Sequence, residues 1–376
     1  METSDTNCSF SPTNRMENNF CVILAGGKGR RLWPSSRQDR PKQFIDFFGT
    51  GRSLLQQTFD RVSSFIPADH IYVTTSQEYL GRVRQQLPEI PVEHVLCEPV
   101  NRNTAPAVAW AGRRIHRESD YARIFVTPAD QLVLNEENFR RDVLQGLDFV
   151  AENDIMLTLG VKPTRPEPGY GYIQTGEPTL ARGISKVQSF TEKPDREFAK
   201  VFMDSGEFMW NTGMFLMNVV FLRNWYLKVI PDMPYRLANL KGHYSLEEEA
   251  QYVRDHYPAY PNLSMDKAAL ELSDNGYVMT CDFGWADIGT WHSMFESVQK
   301  TEGDNVVLQE SEVMIENCRN NIISLPKGHI GVLNGLDGYI VAEQGDVLLI
   351  CPKGDSSALI RKYVNEVGIK YGEKYI

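Results

Sequence analysis

Over the first 160 residues, short apolar runs alternate with longer segments in which apolar and polar residues are mixed. Strand candidates made up mostly of apolar residues lie at residues 21–25, 71–75, 92–97, 124–127 and 156–161. Runs of this kind predict buried strands. The longer segments at residues 103–116 and 135–150 each open with an asparagine that can cap a helix. Because strands that alternate with helices are typical of α/β proteins, we predict a doubly wound, mostly parallel sheet.

The pattern of the next 140 or so residues is less regular. Residues 172–174 and 184–190 predict strands that flank a turn rich in glycine and proline, and residues 195–204 predict a short helix. Ser264 is predicted to cap a further helix, with Asp266 in its first turn, where the helix dipole favours an acid. Beyond residue 160 the strands and helices therefore no longer alternate regularly.

The chain changes character again near residue 300. Beyond Asp304 we predict no further helix, because three-residue apolar runs are separated by polar turns. The runs lie at residues 306–308, 313–315, 321–323, 339–341 and 347–349. This spacing predicts a small C-terminal β-domain, of which a short β-helix is one form. The division falls at residues 298–305, which gives a first domain at residues 20–300 and a second at residues 301–376.

The start of the chain has little to bury. Residues 1–19 are dominated by serine, threonine and asparagine, and this composition predicts a disordered leader. Met16, just before the first strand, is an alternative start to Met1.

Composition narrows the class of protein. The chain has 376 residues, with 39 Lys and Arg against 49 Asp and Glu, and the net charge of −10 argues against nucleic acid as a partner. Its 6 cysteines form no C-x-x-C pair, so neither a disulfide scaffold nor a zinc site is expected. No apolar run approaches the roughly 18 residues of a membrane span, and no signal peptide is recognised. We expect a cytoplasmic protein with no membrane contact.

The segment after the first strand carries the most specific chemistry. It comprises Ala25, Gly26, Gly27, Lys28, Gly29, Arg30 and Arg31, and Lys42 follows eleven residues later. Glycines after a strand let backbone amides face an anion, and several fixed cations favour a polyphosphate over a single phosphate. A P-loop of the Walker type is excluded, because its Gly-Lys-Ser/Thr is missing, and a dinucleotide fingerprint would need glycine at Leu32. The alternative is a glycine turn with solvated cations.

This segment resembles the opening motif of the sugar-nucleotide pyrophosphorylases, A-G-G-x-G-T-R-L-W-P followed by P-K-Q. Further matches to that family lie, in the family's order, at residues 98–99, 102–106, 128–130, 169–173, 192–195, 210–215, 264–266 and 284–289. The chain departs from the family at Arg30 (usually threonine), Gln131 (usually histidine) and Lys267 (often tyrosine). The resemblance implies a Rossmann-like nucleotide-diphospho-sugar transferase domain with a mixed, mostly parallel sheet. It also implies a C-terminal β-domain, in the form of a short left-handed β-helix, and a homodimer.

The reaction that the resemblance implies is attack by a sugar 1-phosphate on the α-phosphorus of a nucleoside triphosphate, which expels pyrophosphate. A phosphate monoester, with a second pKa near 6, is mostly dianionic at neutral pH and needs no general base. The protein must then supply alignment and charge neutralisation. By resemblance, Arg31, Lys42 and Lys193 are the catalytic cations.

Two aspartates are candidates for a Mg²⁺ site. Asp130 ends an apparent strand at the carboxyl edge of the sheet, and Asp287 matches the aspartate of the family's Gly-Trp-x-Asp motif. Carboxylate pairs with phosphate oxygens suit Mg²⁺. These aspartates lie 157 positions apart in the chain, so only the fold can bring them together. The alternative for either aspartate alone is a structural role in a turn or as a helix cap.

The remaining candidates follow the two substrates. Lys193 is implied to grip the sugar's phosphate, and the other sugar-phosphate residues are Gly171, Glu192 and Asn211. For Glu192 and Lys193 the alternative is an exposed charged pair at the end of a strand. The nucleotide side adds Asn103, Thr104 and Glu98.

Guanine is the base that the candidate residues suit best. Guanine presents adjacent N1–H and N2–H donors, which a carboxylate such as that of Glu98 can accept. The alternative leaves base reading to backbone carbonyls near Ala25, with a structural role for Glu98.

The resemblance is strongest with the guanylyl branch of the family, and it implies GTP and α-mannose 1-phosphate as substrates. Two alternatives stay open, namely the same reaction with another base or sugar and a catalytically silent regulatory subunit that binds nucleotide sugars. The presence of all the charged candidates argues against the second. About 75 residues follow Thr301, too few for the β-domain and a cupin-type isomerase domain together, so no isomerase activity is expected.

Overall fold

The structure is a computed structural model that describes residues 17–229, 245–271, 275–308, 311–354 and 356–376. The predicted leader and Met16 therefore lie outside the described residues, apart from the last three leader positions. No helix within these ranges is both long enough and apolar enough to cross a membrane.

A nine-stranded sheet forms the centre of the molecule, in the order β3-β2-β1-β4-β9-β6-β10-β8-β7. Its strands are β1 (Asn19–Leu24), β2 (Ile71–Ser76), β3 (Val95–Glu98), β4 (Arg123–Pro128), β6 (Met156–Val161), β7 (Gly171–Pro178), β8 (Ile184–Glu192), β9 (Phe208–Asn218) and β10 (Gly276–Cys281). Strands β8 and β9 run against the other seven. The predicted mixed, mostly parallel α/β sheet is confirmed.

Helices cover both faces of this sheet, which explains the unbroken apolar runs of its strands. Along β1, Cys21 and Ile23 belong to one apolar cluster while Phe20 and Val22 belong to another on the opposite face. The helices are α1 (Leu54–Ser63), α2 (Leu80–Gln86), α3 (Thr104–Glu118), α4 (Glu136–Glu152), α5 (Arg196–Ser205), α6 (Val219–Val229), α7 (Leu246–His256) and α8 (Trp291–Ser297). Helices α1, α2 and α4 pack on the first face, and α3 and α6 pack on the second.

Some predicted elements differ from those observed. Residues 92–97 do not form one strand, because Val92–His94 is a 3₁₀ turn after Pro91 and the strand begins at Val95. The long central strand β9 was not predicted, since its Asn-Thr-Gly segment, with Gly213 at φ 69°, is typical of a turn. Ser264 caps a helical segment as predicted, since its Oγ accepts from Lys267 N at 3.2 Å, but most of that segment is a π-helix at Lys267–Glu271.

The C-terminal strands stack as rungs. They are β12 (Val306–Leu308), β13 (Glu312–Glu316), β14 (Ile322–Ser324), β15 (Ile330–Asn334), β16 (Tyr339–Gln344) and β17 (Val347–Pro352). Strand β12 pairs in parallel with β14, β14 with β16, and β13 with β15, as in a short β-helix. The prediction of no further helix was wrong, because α9 (Ser356–Tyr371) follows. Its amphipathic signal is weak, since Ile360 and Val364 are its only buried apolar residues among those described.

A third apolar cluster joins the segment after the glycines to the C-terminal region. It contains Leu32 and Trp33 after the glycine segment, Trp291 of α8, and residues of the C-terminal strands and α9 such as Ile340. The last carbonyl groups of the chain also contact the segment after the glycines: those of Tyr375, Ile376 and Lys374 accept hydrogen bonds from Trp33 Nε1 (2.7 Å), Gln38 N (3.2 Å) and Arg37 Nη1 (3.4 Å), respectively. The C-terminal region is thus packed against the glycine segment, while the division into two domains stays a prediction.

Candidate active site

A small two-stranded ribbon brings the distant aspartates together. Strand β5 (Gln131–Val133) pairs antiparallel with β11 (Trp285–Asp287), and Asp287 lies opposite Gln131. Asp130 immediately precedes β5, so the pairing places it beside Asp287 although the two are far apart in the chain. This ribbon supplies the convergence that the sequence required of the fold.

The ammonium group of Lys42 lies between these two acids. Its Nζ is 2.8 Å from Asp130 Oδ2 and 3.8 Å from Asp287 Oδ1, and it donates to the carbonyl of Ile288 at 3.0 Å. Burial alone would lower the pKa of Lys42, but Asp130 and Asp287 outweigh it and the pKa is raised. Lys42 is therefore a fixed cation at this site.

Asp287 has three cations around it. Burial raises the pKa of Asp287 and the nearby Asp130 adds to the rise, while Lys42, Arg31 and Lys193 act to lower it. Gly289 makes room here, because a Cβ on it would come within 2.5 Å of Asp287 Oδ2 and 3.2 Å of Arg31 Nη2. The three cations predicted to be catalytic thus act on one carboxylate.

The donor set suits a magnesium ion with few protein ligands. Mg²⁺ prefers hard oxygen donors and is held by one or two carboxylates together with waters and substrate phosphates. Asp130 and Asp287 are such a pair. Among the described residues no group of three or more His, Cys, Asp or Glu side chains could hold a metal ion, so a closed protein cage is not present there. The two aspartates therefore fit a metal ion whose other ligands would be waters and substrate phosphates.

The glycine segment has a fixed shape. Gln43 Nε2 donates to the carbonyls of Ala25 (2.9 Å) and Gly27 (2.8 Å), and it ties the segment to the loop that carries Lys42. Gly29 has φ 60°, and a Cβ there would lie 2.7 Å from Ser36 Oγ, so a side chain does not fit. Gly27 is exposed, and a Cβ there would meet no atom within 4 Å, which leaves space for a ligand.

The other cations of this segment lie nearer solvent. Lys28 is exposed and its Nζ is 3.9 Å from Glu78 Oε1, while Arg30 is exposed. Arg31 is only partly exposed. Arg31 and Lys42 therefore form the inner pair of cations, and Lys28 and Arg30 lie at the rim.

Glu98 lies beneath the glycine segment, at the end of β3. Its side chain is buried, and burial raises its pKa to about 7 although a hydrogen bond from Tyr257 opposes the shift. A Cβ on Gly26 would come within 3.1 Å of Glu98 Oε2, so this oxygen faces the segment. The sequence prediction placed Glu98 on the nucleotide side, and this role stays a prediction.

Asn103 and Thr104 form the start of α3. Asn103 has φ 66° and its Oδ1 accepts from Thr104 N at 3.0 Å, while Thr104 Oγ1 accepts from Met265 N at 2.8 Å. These contacts explain both side chains as parts of a helix cap. Their role in nucleotide binding stays a prediction.

The sugar-side candidates lie near the same group of charges, since Lys193 acts on the pKa of Asp287. Gly171 pairs with Glu192, and a Cβ on Gly171 would come within 3.0 Å of Glu192 Oε2. Lys193, at φ 48°, forms an ion pair with Glu192, and both side chains are about half-exposed. The buried Asn211 donates from Nδ2 to Asp266 Oδ1 at 2.5 Å.

Asp266 lies in the first turn of the helical segment after Ser264, as predicted, and its carboxylate also takes part in the sugar-side group. It accepts a hydrogen bond from Asn211, and burial raises its pKa, on which Glu192 and Lys193 also act. Gln131, a departure from the family, donates from Nε2 to the Thr212 carbonyl at 2.6 Å and so joins β5 to the sugar side.

The prediction missed Gln43, Asp266 and Tyr257 as residues of the site. Gln43 directly follows Lys42 and Asp266 lies in a matched motif, so both had a signal in the sequence. For Tyr257 the sequence holds no comparable signal.

Comparison with known proteins agrees with this geometry. The family model of the nucleotidyl transferases matches residues 20–303. A mannose-1-phosphate guanylyltransferase of Salmonella montevideo is 34% identical over 340 residues, which cover 88% of this chain and 70% of the relative. The alginate biosynthesis protein AlgA of Pseudomonas syringae pv. tomato is 34% identical over 337 residues, with 88% of this chain and 68% of the relative covered.

Solved structures give the same result for the fold. A crystal structure from Thermus thermophilus, described as a mannose-1-phosphate geranyltransferase, superposes with a TM-score of 0.82 at 28% identity. The match covers 93% of this chain and 99% of the other. It therefore includes the C-terminal strands as well as the central sheet.

Proposed function

This chain belongs to the nucleotidyl transferase family, and we propose that it transfers the guanylyl group of GTP to α-mannose 1-phosphate. The products are GDP-mannose and pyrophosphate. The observation that carries the proposal is the convergence of Lys42, Asp130 and Asp287 beneath the glycine segment. The names of the guanylyltransferases that are about one-third identical supply the substrate class.

The reaction is an in-line displacement at the α-phosphorus. An oxygen of the sugar phosphate forms the new O–P bond, and the bond between the α-phosphorus and the bridging oxygen breaks, with its electron pair leaving on pyrophosphate. Lys42 and Arg31 neutralise charge that develops on the leaving group, because both are fixed cations next to Asp287. A Mg²⁺ ion held by Asp130 and Asp287 would add further charge neutralisation on the phosphates.

The sugar phosphate is bound by the strand ends opposite. Lys193 pairs with its phosphate, and Glu192 accepts hydrogen bonds from sugar hydroxyls where Gly171 leaves room. Asn211, held by Asp266, has a second N–H to donate. This arrangement supports alignment of the sugar phosphate without a general base.

Glu98 is the better candidate for reading the base. The alternative, the Ala25 carbonyl, already accepts hydrogen bonds from Gln43 Nε2 at 2.9 Å and from Thr75 Oγ1 at 3.0 Å. A carbonyl oxygen has two lone pairs, so both are occupied. Glu98 Oε2 faces Gly26 and can accept a hydrogen bond from the N1–H or N2–H group of guanine.

The decisive experiment is a matrix of the four nucleoside triphosphates against several sugar 1-phosphates, read by pyrophosphate release with and without Mg²⁺. We expect release to be fastest with GTP and mannose 1-phosphate and to need the metal. If pyrophosphate release is faster with another base or sugar, that pair replaces the proposed substrates while the proposed reaction stands. No release with any pair would favour the silent regulatory protein.

A homodimer, implied by the family, and a cytoplasmic location, expected from the composition, both remain predictions. Light scattering of the purified protein tests the first, and fractionation of cells that express it tests the second.

A further inference from the structure

The carboxylate of Glu98 has its two oxygens directed to different partners. Oε1 accepts a hydrogen bond from the hydroxyl group of Tyr257. Oε2 lies on the glycine side, within 3.1 Å of the place that a Cβ of Gly26 would occupy. One oxygen is therefore engaged by Tyr257, and the other faces the glycine segment.

Tyr257 is held rigidly. It follows α7 directly, its ring is fully buried, and it packs edge-on against Trp110 with ring centroids 6.1 Å apart. Glu249 anchors α7 to α3, because its buried carboxylate accepts from Trp110 Nε1 (2.5 Å) and Arg114 Nε (2.6 Å). The direction of the Tyr257 hydroxyl is thus set by the packing of two helices.

We propose that Tyr257 is a positioning residue for base selection. Its hydrogen bond holds the Glu98 side chain so that Oε2 faces the base and remains a hydrogen-bond acceptor. The inference rests on the proposed function, since it takes guanine as the base. It adds a residue that does not touch substrate and that lies 159 positions from Glu98 in the chain.

The physical basis is the competition between burial and the hydrogen bond. Burial raises the pKa of Glu98 to about 7, and the Tyr257 hydrogen bond lowers it from where burial alone would place it. Loss of that bond would raise the pKa of Glu98 further, so a larger fraction of the carboxyl groups would be protonated at neutral pH. A protonated carboxyl group accepts less well from guanine N1–H and can donate to N1 of adenine. The titratable groups around Glu98 are Tyr257, with Tyr226 and Tyr260 behind it, and the thiol of Cys97.

The test is Tyr257→Phe, which removes only the hydroxyl group. We expect KM for GTP to rise and the ratio of GTP to ATP turnover to fall, each by about tenfold. The acid limb of kcat/KM for GTP should move to higher pH, while KM for mannose 1-phosphate stays unchanged. Tyr260→Phe is the matched control, because Tyr260 belongs to the same aromatic cluster, with its ring centroid 5.3 Å from that of Tyr257.

Two results would overturn this inference and leave the proposed function intact. One is a Tyr257→Phe protein with the KM, base ratio and pH profile of the wild type. The other is a Tyr260→Phe protein whose KM for GTP and base ratio change as much as those of Tyr257→Phe. Thermal unfolding of both variants shows whether packing has been lost. If Tyr257→Phe unfolds at a lower temperature than wild type, the deciding measurement is the pH dependence of GTP binding to the wild-type protein. An affinity for GTP that is constant from about pH 6 to about pH 8 overturns the inference. A wild-type protein that does not turn over GTP with mannose 1-phosphate overturns the proposed function as well.

Discussion

Lys42 Nζ lies 2.8 Å from Asp130 Oδ2. The lysine comes from the loop after β1 and the aspartate from the end of β4, so the contact joins the glycine segment to the strand ends. Asp287, at 3.8 Å, completes the group. A cation that lies beside both acids prevents their mutual repulsion before any substrate arrives.

Asp130→Asn tests the proposed metal role. The change keeps the shape of the side chain and removes its charge, so we expect turnover to fall by about 100-fold or more and the Mg²⁺ concentration for half-maximal rate to rise. Pyrophosphate release over a magnesium titration measures both. Asp60→Asn, which removes a charge from the exposed Arg52–Asp60 pair, should change neither. Full turnover in Asp130→Asn would remove this aspartate from the metal site.

Arg31→Ala separates catalysis from folding. Arg31 is a partly exposed loop cation, so its loss should change the free energy of unfolding by less than about 1 kcal/mol. Because it acts on the charge at Asp287, we expect turnover to fall by about 100-fold. Steady-state kinetics and denaturant unfolding are compared with those of Arg361→Ala in the exposed part of α9. A parallel loss of stability and activity would indicate a structural role instead.

Gln43→Leu tests whether the shape of the glycine segment matters. The amide holds two carbonyls, and its loss leaves that of Gly27 without this donor. We expect KM for GTP to rise by about tenfold, with a loss of about 1–3 kcal/mol in stability. Gln251→Leu, on the exposed face of α7, is the control for the same change of side chain. An unchanged KM for GTP would show that the segment keeps its shape by other contacts.

Glu98→Gln should stabilise the protein at alkaline pH. The folded-state pKa of Glu98 is raised to about 7 from an ordinary 4.5, so the folded protein holds this proton more tightly than the unfolded chain. Its contribution to stability is fully present below about pH 4.5 and is lost as the pH rises through 7, a change of about 3 kcal/mol.

Glutamine carries no such dependence, so the variant should unfold at a higher temperature than wild type at about pH 8 and show little gain at about pH 4. Its affinity for GTP should fall at the same time. Glu93→Gln, at an exposed position on the preceding turn, should behave like wild type at both values. Equal melting temperatures of Glu98→Gln and wild type at about pH 8 would contradict the raised pKa.

The local parts of the fold were predictable from the sequence. An apolar run followed by glycines identifies β1 and its loop, and capping residues locate α3 and α4, because neighbouring residues decide these features. Helix α9 was missed since few of its residues are buried. Strand β9 was missed because its pairing partners lie far away in the chain.

The candidate site shows the same division. The residue types of Lys42, Asp130 and Asp287 were recognisable, while their meeting depends on the β5–β11 ribbon, which no short stretch of sequence encodes. Asp266 and Tyr257 acquire their roles from contacts with Asn211 and Glu98, which are 55 and 159 positions away. Long-range contacts of this kind leave no periodic pattern.

The hydrogen bonds that the carbonyl groups of Lys374, Tyr375 and Ile376 accept affect where a tag can be attached to the protein. They hold the end of the chain against Trp33, Arg37 and Gln38, only a few positions from Arg31. A purification tag or a surface-immobilisation peptide joined after Ile376 would therefore begin close to the glycine segment and Arg31. Kinetic work is better done with affinity handles at the opposite terminus.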